Sequence, residues 1–511
     1  MSGLGSGPGS TDAALETAPG TPDAIVVGGG VAGLTAAFAL VQQGLRPLVL
    51  EASARCGGYL VPGVLDAGGR SVAVDVGAES FAVRSRPVAE LVAALGLETV
   101  EPSGLSAWAG GPAGVFPLPA AGVLGIPGHP WAADTRRAVG VLGALRAAAD
   151  TVLPRRWADT TNLATFVRSR LGSRVLDRLV TPVAGGVHSS DPSLLSVDAV
   201  APGLLAAFER TGSLTAAVRA LRSQAPAGSA VRGIAGGMNR LVAALEDAVR
   251  AHGDVRTGVG VESVVRAGDG AATWVVRTTA GELLRTRRVV VATTGQDALR
   301  ILGRDAGTGG PESGAGAGAE RTAGTTVVLP RGTDIRLVTL LLRTPALDGA
   351  PRGTGILVAP GSTAVAKAST HATAKWPWLR TAVTDAFGAG HHVVRLSYGR
   401  GGDETVPTSD DALVDQALRD VHALYGVSLD RSDVVSSLVT RWDDALPPPT
   451  PEHRVQVAAL LAEVAQLDGL ALTGAWVAGT GLAAVVPHAQ MSATQVTRIH
   501  EEHDEESSTS H

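Results

Sequence analysis

The stretch that decides the fold is Ala24-Ile25-Val26-Val27-Gly28-Gly29-Gly30-Val31-Ala32-Gly33, continued through Leu34 to Gln43 and closed by Pro47-Leu48-Val49-Leu50-Glu51. Ala24 to Val27 is an apolar run of strand length, Val31 to Gln43 has helical length with an Ala/Leu face, and Pro47 to Leu50 is apolar again. Together they make a strand, turn, helix, strand unit. Its Gly28, Gly30 and Gly33 have the spacing of a dinucleotide fingerprint: a tight turn, close approach of a diphosphate, and close packing of the helix. The N-terminus of that helix faces the diphosphate, with Gly29, Val31 and Ala32 completing the turn. Glu51 ends the second strand near the ~20-residue offset at which an acid takes a ribose hydroxyl. A lone glycine pattern is weak evidence; the whole unit is strong.

Outward from this unit, 511 residues with 45% hydrophobic content exceed one compact core and leave room to bury a large cofactor. The net charge of −5 is spread along the chain and gives no nucleic-acid footprint. Lys occurs only at Lys367 and Lys375, a skew that fits a GC-rich genome. The one cysteine, Cys56, cannot form an internal disulfide, and no Cys or His cluster has metal-ligand spacing, so no metal is expected. Residues 1–22 are Gly/Ser/Pro/Thr-rich, lack the pattern of a signal peptide and read as a disordered tail. No apolar run reaches the ~20 residues that span a bilayer. The expected location is the cytoplasm, without integral membrane association.

Further along, Val259 to Val265 and Trp274 to Thr278 alternate like strands, and Arg288 to Thr293 reads as a buried strand. Between Leu118 and Leu221 the spacing is helical, which predicts an inserted helical region. Residues 303–324 are too polar and glycine-rich to pack and read as a flexible loop. Val327 to Leu342 and Gly355 to Leu396 look strand-rich, Asp410 to Leu424 helical, Leu470 to Thr473 strand, and a final helix ends in an acidic tail, 499–511, expected to fray.

The choice between FAD and NAD turns on the residues just after Glu51, namely Ala52-Ser53-Ala54-Arg55-Cys56-Gly57-Gly58, an arrangement of large flavin oxidoreductases. At this point the chain resembles the porphyrinogen oxidases among the amine-oxidase-like flavoproteins, most of all the coproporphyrinogen III oxidases of Gram-positive bacteria. The blocks that carry the likeness run in order. They are Asp75-Val76-Gly77-Ala78-Glu79-Ser80-Phe81, Gly125-Ile126-Pro127, Pro182 to His188 with Asp191 to Ser196, Gly236 to Leu241, Lys375-Trp376-Pro377, Tyr398 to Glu404, and Gly474 to Leu482. Any one could be accidental; the ordered set is specific.

The resemblance implies an α/β fold: a Rossmann-like FAD-binding domain from 23–82, 230–302 and 430–498, an interleaved strand-rich substrate domain from 83–114 and 325–429, and a helical insertion at 115–229. It implies FAD held by Gly28 to Gly33 at the diphosphate and by Glu51 at the ribose, with Ala52 and Arg55 also among the cofactor-binding residues. Gly57 and Gly58 flank that turn, and Gly77, Ala78, Glu79 and Ser80 hold the flavin side. Val261 matches a residue whose backbone meets the adenine edge. Gly479, Thr480, Gly481 and Leu482 match a closing turn at a second helix N-terminus, Trp442 and Trp476 are candidates to line the flavin, and Arg84 and Arg86 are candidates for substrate carboxylates. No catalytic side chain is expected, because the flavin carries the redox chemistry.

The implied activity is six-electron oxidation of coproporphyrinogen III, with dioxygen forming hydrogen peroxide and transient contact with the next haem-pathway enzyme. Protoporphyrinogen IX oxidation stays open, as do an amine oxidase or carotenoid desaturase chemistry and a non-catalytic flavin- or porphyrin-binding protein. Tyr59, Pro447 to Pro449, Glu452, Ala483 and Ala484 depart from the family pattern and bear on flavin affinity. His188, His453 and His488 read as structural histidines, and Cys56 as an unreactive thiol.

Overall fold

The computed structural model describes residues 21–83, 85–120, 122–188, 190–224, 231–267, 273–303, 329, 331–400, 406–446 and 450–508. β1 (Ala24–Val27), α1 (Val31–Gln42) and β2 (Pro47–Glu51) form where the periodicity places them. They belong to a five-stranded parallel sheet in the order Asp254–Thr257, β2, β1, Val289–Val291, Leu470–Leu472. Its central strands read as unbroken apolar runs because a parallel sheet is covered on both faces. Ala24, Val26, Val49 and Val290 pack on one side with residues of α1, of the helix Asn239–Arg250 and of the closing helix Leu482–Ser508. Ile25, Val27, Leu48 and Leu50 pack on the other, against Trp274, Val276 and Leu460. All five strands end on one edge, so turns from opposite ends of the chain open to the same side.

A second sheet of seven strands runs Val434–Leu446, Thr333–Arg343, His391–Tyr398, Ala368–His371, Gly355–Val358, Ala107–Gly111, Gly114–Pro117. It is antiparallel except where Gly355–Val358 meets Ala107–Gly111. One face, with Val338, Leu340 and Leu396, is covered by the helix Asp410–Tyr425. The other, with Leu341 and Val393, packs on Val61 and on Leu65, Val72 and Val74 of the hairpin Pro62–Asp75. That hairpin ties the large sheet to the five-stranded unit.

The architecture is the expected α/β class, with several boundaries moved. Val434–Leu446, placed in the third flavin segment, pairs along Thr333–Arg343 and is part of the large sheet. The helix Arg86–Ala94, placed in the substrate domain, buries Val88, Leu91 and Val92 in the core of the five-stranded unit. Gly114–Pro117 completes the large sheet, so helices begin only at Ala133. The stretch from Gly355 to Leu396 is interrupted by the helices Ala372–Lys375 and Pro377–Phe387, the latter with Pro at its start, where the missing N–H costs nothing. The closing helix runs to Ser508 instead of ending at Ile499. The tail at 1–20 and most of the loop at 303–324 lie outside the described residues.

The helical layer contains Ala133–Ala148, Leu163–Leu171, Thr181–His188, Leu204–Thr211 and Leu214–Gln224 around one apolar cluster. At its edge Arg170 and Asp150 are both fully buried and paired at 2.7 Å. Arg170 also donates to the carbonyls of Asp150, Leu153, Pro154 and Gly212, and Asp150 accepts from Ser213 and Thr215. Breaking a buried pair by removing one partner leaves an uncompensated charge. Asp150→Ala is therefore expected to destabilise the chain by ~3–5 kcal/mol, read as a lower midpoint in urea unfolding.

Candidate functional site

The turn after β1 is built by close approach. A Cβ on Gly33 would lie 1.9 Å from the Gly28 carbonyl oxygen, and one on Gly28, at φ +104°, would lie 2.7 Å from Ala292 O. Only glycine lets α1 sit this near the strand ends. Gly30 differs: its φ of −71° suits any residue, and a Cβ there would meet nothing nearer than the Gly58 Cα at 4.0 Å. Gly30 and Gly57 form a parallel bridge, and Gly57 N donates to Gly29 O at 2.9 Å. Bare backbone thus lines both sides of a slot at the α1 N-terminus. This is the cradle an extended diphosphate requires.

Glu51 stands beside the slot. One of its carboxylate oxygens accepts from Gly29 N at 2.7 Å and the other from Ser53 N at 2.8 Å. Ala52 and Arg55 are exposed on the same segment. Val261 is buried at the start of the strand Val261–Arg266, and the residues before it are pinned to this corner: Val259 N donates to Glu51 O and Gly258 N to Ser53 O. Across the sheet edge, Gly479, Thr480 and Gly481 are exposed where the closing helix begins, and Leu482 is buried in its first turn. The glycine turn, Glu51, Val261 and the closing turn therefore meet at one edge.

The segment 75–80 joins them through Tyr59, whose carbonyl accepts from Ala78 N at 3.3 Å. Ala78 is exposed, but Glu79 turns inward. Its carboxylate pairs with Lys375 and, at 3.0 Å, with Arg395; the three side chains are only 12%, 17% and 13% exposed. Burial would raise the Glu79 carboxyl, and the charges of Lys375 and Arg395 outweigh it, holding the group down at about 2. Asp75 accepts from Met238 N and Asn239 N, and its carboxyl is raised by burial against those bonds. Sequence reasoning missed Lys375 and Arg395. Lys375 carried a signal, being one of two lysines in the chain; Arg395 carried none among so many arginines.

Other candidates land elsewhere. Trp442 donates its indole N–H to Val76 O at 3.0 Å and stacks edge-on with Tyr59, so it touches the residue before Gly77. Trp476 is buried and donates to Thr293 O. Arg86 is exposed and paired with Glu90 on its own helix at 2.7 Å; Arg84, like Pro447 to Pro449, lies outside the described residues. His453 binds Trp476 O and His488 binds Thr473. Burial, then the charges of Glu246 and Glu51, push the Cys56 thiol up to about 12. Among the described residues no group of three or more His, Cys, Asp or Glu is placed to hold a metal. Nor is any helix long and apolar enough to cross a membrane.

Alongside this geometry, the profile of flavin-containing amine oxidoreductases matches residues 31–498. The coproporphyrinogen III oxidase of Mycobacterium tuberculosis H37Rv is 30% identical over 92% of this chain and 96% of its own length. That of Bacillus subtilis is 24% identical over 91% and 95%. A crystal structure from Exiguobacterium sp. 255-15, ascribed to a protoporphyrinogen oxidase, superposes with a TM-score of 0.74 at 22% identity, covering 93% of this chain and 98% of that one. FAD is the cofactor these findings assign to the chain.

The cradle and the buried triad lead to two expected outcomes. Gly30→Ala is expected to fold with an unchanged apoprotein melting temperature but to weaken FAD binding at least about tenfold, roughly 1.4 kcal/mol, whereas Gly33→Ala should lower that melting temperature. Flavin absorbance per chain after gel filtration, with thermal melts, separates them. Glu79 has a folded-state pKa below its ordinary 4.5, so its contribution is complete above that value and lost as pH falls towards about 2. The stability gap between wild type and Glu79→Gln, from urea unfolding, should be flat above pH 4.5 and close below it.

Proposed function

Because this chain belongs to the flavin-containing amine oxidoreductase family, we propose that it oxidises coproporphyrinogen III to coproporphyrin III. The observation that carries this is the reach of the likeness. Relatives named coproporphyrinogen III oxidase match along 92% of the chain, so the large sheet and the helical layer correspond as well as the cradle.

Bound FAD supplies a two-electron acceptor for a hydride from a meso carbon of the substrate. The chain's own work is to bind and orient. Gly28 to Gly33 and the α1 N-terminus take the diphosphate, Glu51 with Ala52 and Arg55 flanks the ribose, and the Val261 backbone meets the adenine edge. Gly57 and Gly58 form the far wall of the slot, Gly77 to Ser80 take the flavin side, Trp442 backs that segment, and Thr480 to Leu482 bring a second helix N-terminus. Hydride loss leaves a cation conjugated with a pyrrole nitrogen, whose N–H becomes strongly acidic, so the proton leaves without a dedicated side-chain base. Each cycle removes two electrons and two protons. Three cycles remove six of each, and three dioxygen molecules accept them as three hydrogen peroxide molecules.

Arg84 and Arg86 are proposed to meet propionates of the tetracarboxylate. An exposed pair such as Arg86 with Glu90 is worth little in water, so Arg86 is available to an arriving carboxylate. A cytoplasmic setting and transient hand-over to the next haem-pathway enzyme belong to the same proposal.

Steady-state turnover of both porphyrinogens, followed by porphyrin fluorescence with peroxide measured in parallel, decides the substrate. The expected result is a higher kcat/KM for coproporphyrinogen III than for protoporphyrinogen IX, with KM for the tetracarboxylate rising more than that for the dicarboxylate when Arg84 and Arg86 are both neutralised. A kcat/KM for protoporphyrinogen IX that equals or exceeds the other overturns the assignment.

A further inference from the structure

Lys375 opens the block Lys375-Trp376-Pro377, yet nothing in the proposed chemistry uses it. It ends the helix Ala372–Lys375, directly after a strand of the large sheet, and its ammonium lies against Glu79 and 5.2 Å from the Trp376 ring centre. Arg395 comes from the neighbouring strand His391–Tyr398. One of its guanidinium nitrogens donates to Asp75 O at 2.9 Å and Gly77 O at 3.0 Å, while another meets Glu79. Trp442, also from the large sheet, takes Val76 O. Three consecutive carbonyls and one carboxylate of the segment 75–80 are thus held by side chains of a different folding unit.

A peptide plane whose carbonyl is fixed has its N–H fixed in the opposite direction. The opposite edge is held as well, since Val76 N donates to Val61 O at 3.4 Å and Ala78 N to Tyr59 O at 3.3 Å, so the segment is fixed from both sides. Behind the segment lies a cavity of about 10 Å³ lined in part by Asp75, Glu79, Thr339, Trp376 and Arg395, space for one water at most. The buried Thr339 hydroxyl on this wall has no hydrogen-bond partner among the described residues. The segment has nowhere to retreat.

We propose that Lys375 and Arg395 are positioning residues: through Glu79 and the carbonyls of Asp75 and Gly77 they hold 77–80 in the shape that takes the flavin, so flavin affinity and potential are set from the large sheet. This rests on the reading of Gly77 to Ser80 as the flavin side. Ala78→Trp tests that reading alone, because Ala78 is exposed and outside the ion pairs. Unchanged FAD affinity in Ala78→Trp defeats the reading; a loss there with none in the cluster variants defeats the positioning role.

The experiment titrates full-length apoprotein with FAD by fluorescence quenching and measures the bound flavin's midpoint potential. Lys375→Met is expected to raise the FAD Kd at least tenfold, Lys375→Arg to stay within tenfold of wild type, and Glu79→Gln combined with Lys375→Met to be no worse than the weaker-binding single variant. Oxidised and reduced flavin should be weakened by unequal factors, a tenfold inequality corresponding to about 30 mV in the two-electron potential. A rise in Kd below tenfold for Lys375→Met, additive losses in the double variant, or an unmoved potential overturns the proposal, since a purely structural pair would lower only the apoprotein's melting temperature. Should Lys375→Met not fold, Glu79→Asp keeps the charge and shortens its reach, and it must meet the same tenfold threshold.

Discussion

Glu79 carries its charge where two folding units meet and where water is almost excluded. A lone carboxylate in such a place would take up a proton or force the boundary open. It does neither, because Lys375 and Arg395 arrive from the large sheet and outweigh the cost of burial. The hairpin Pro62–Asp75 is held on that sheet by apolar packing, but packing alone would let one surface slide over the other. The charged triad adds directional contacts across that boundary, beside the bonds of Arg395 to the carbonyls of Asp75 and Gly77 and of Trp442 to Val76 O.

Legibility in the sequence followed periodicity. β1, α1 and β2 could be read because an unbroken apolar run, a helical face and a glycine turn are local signals that tertiary structure did not override. The same local signals place Gly28 in the turn before α1, Gly33 in its first turn and Glu51 at the end of β2. Val434–Leu446 was misplaced because a strand's sequence shows that it is a strand, not which sheet it joins; only its pairing with Thr333–Arg343 settles that. Helix Arg86–Ala94 was misassigned on the same ground. For Glu79 the block around it marks the position, while the direction of its side chain depends on cations some 300 residues away.

Two clusters of buried charge among the described residues show different uses of one kind of contact. Arg170 and Asp150 lie wholly within the helical layer, satisfied by neighbouring carbonyls and hydroxyls, and hold that layer to itself. Glu79, Lys375 and Arg395 hold separate units together. The first would be legible as a stability determinant in any helical protein. The second acquires its meaning from the segment 75–80 that it clamps, where Ala78 is exposed.

The order of strands in the five-stranded sheet also bears on how the protein is made. β1 and β2 come early in the order of elements, whereas the sheet's far strand, Leu470–Leu472, and the helix that covers it come late. Val289–Val291 must stand beside β1 before that strand can dock. The sheet is therefore completed only after a long stretch of chain has followed β1 and β2, and contacts so distant in sequence form slowly. During translation the apolar faces of β1 and α1 wait for packing partners that come later in the sequence.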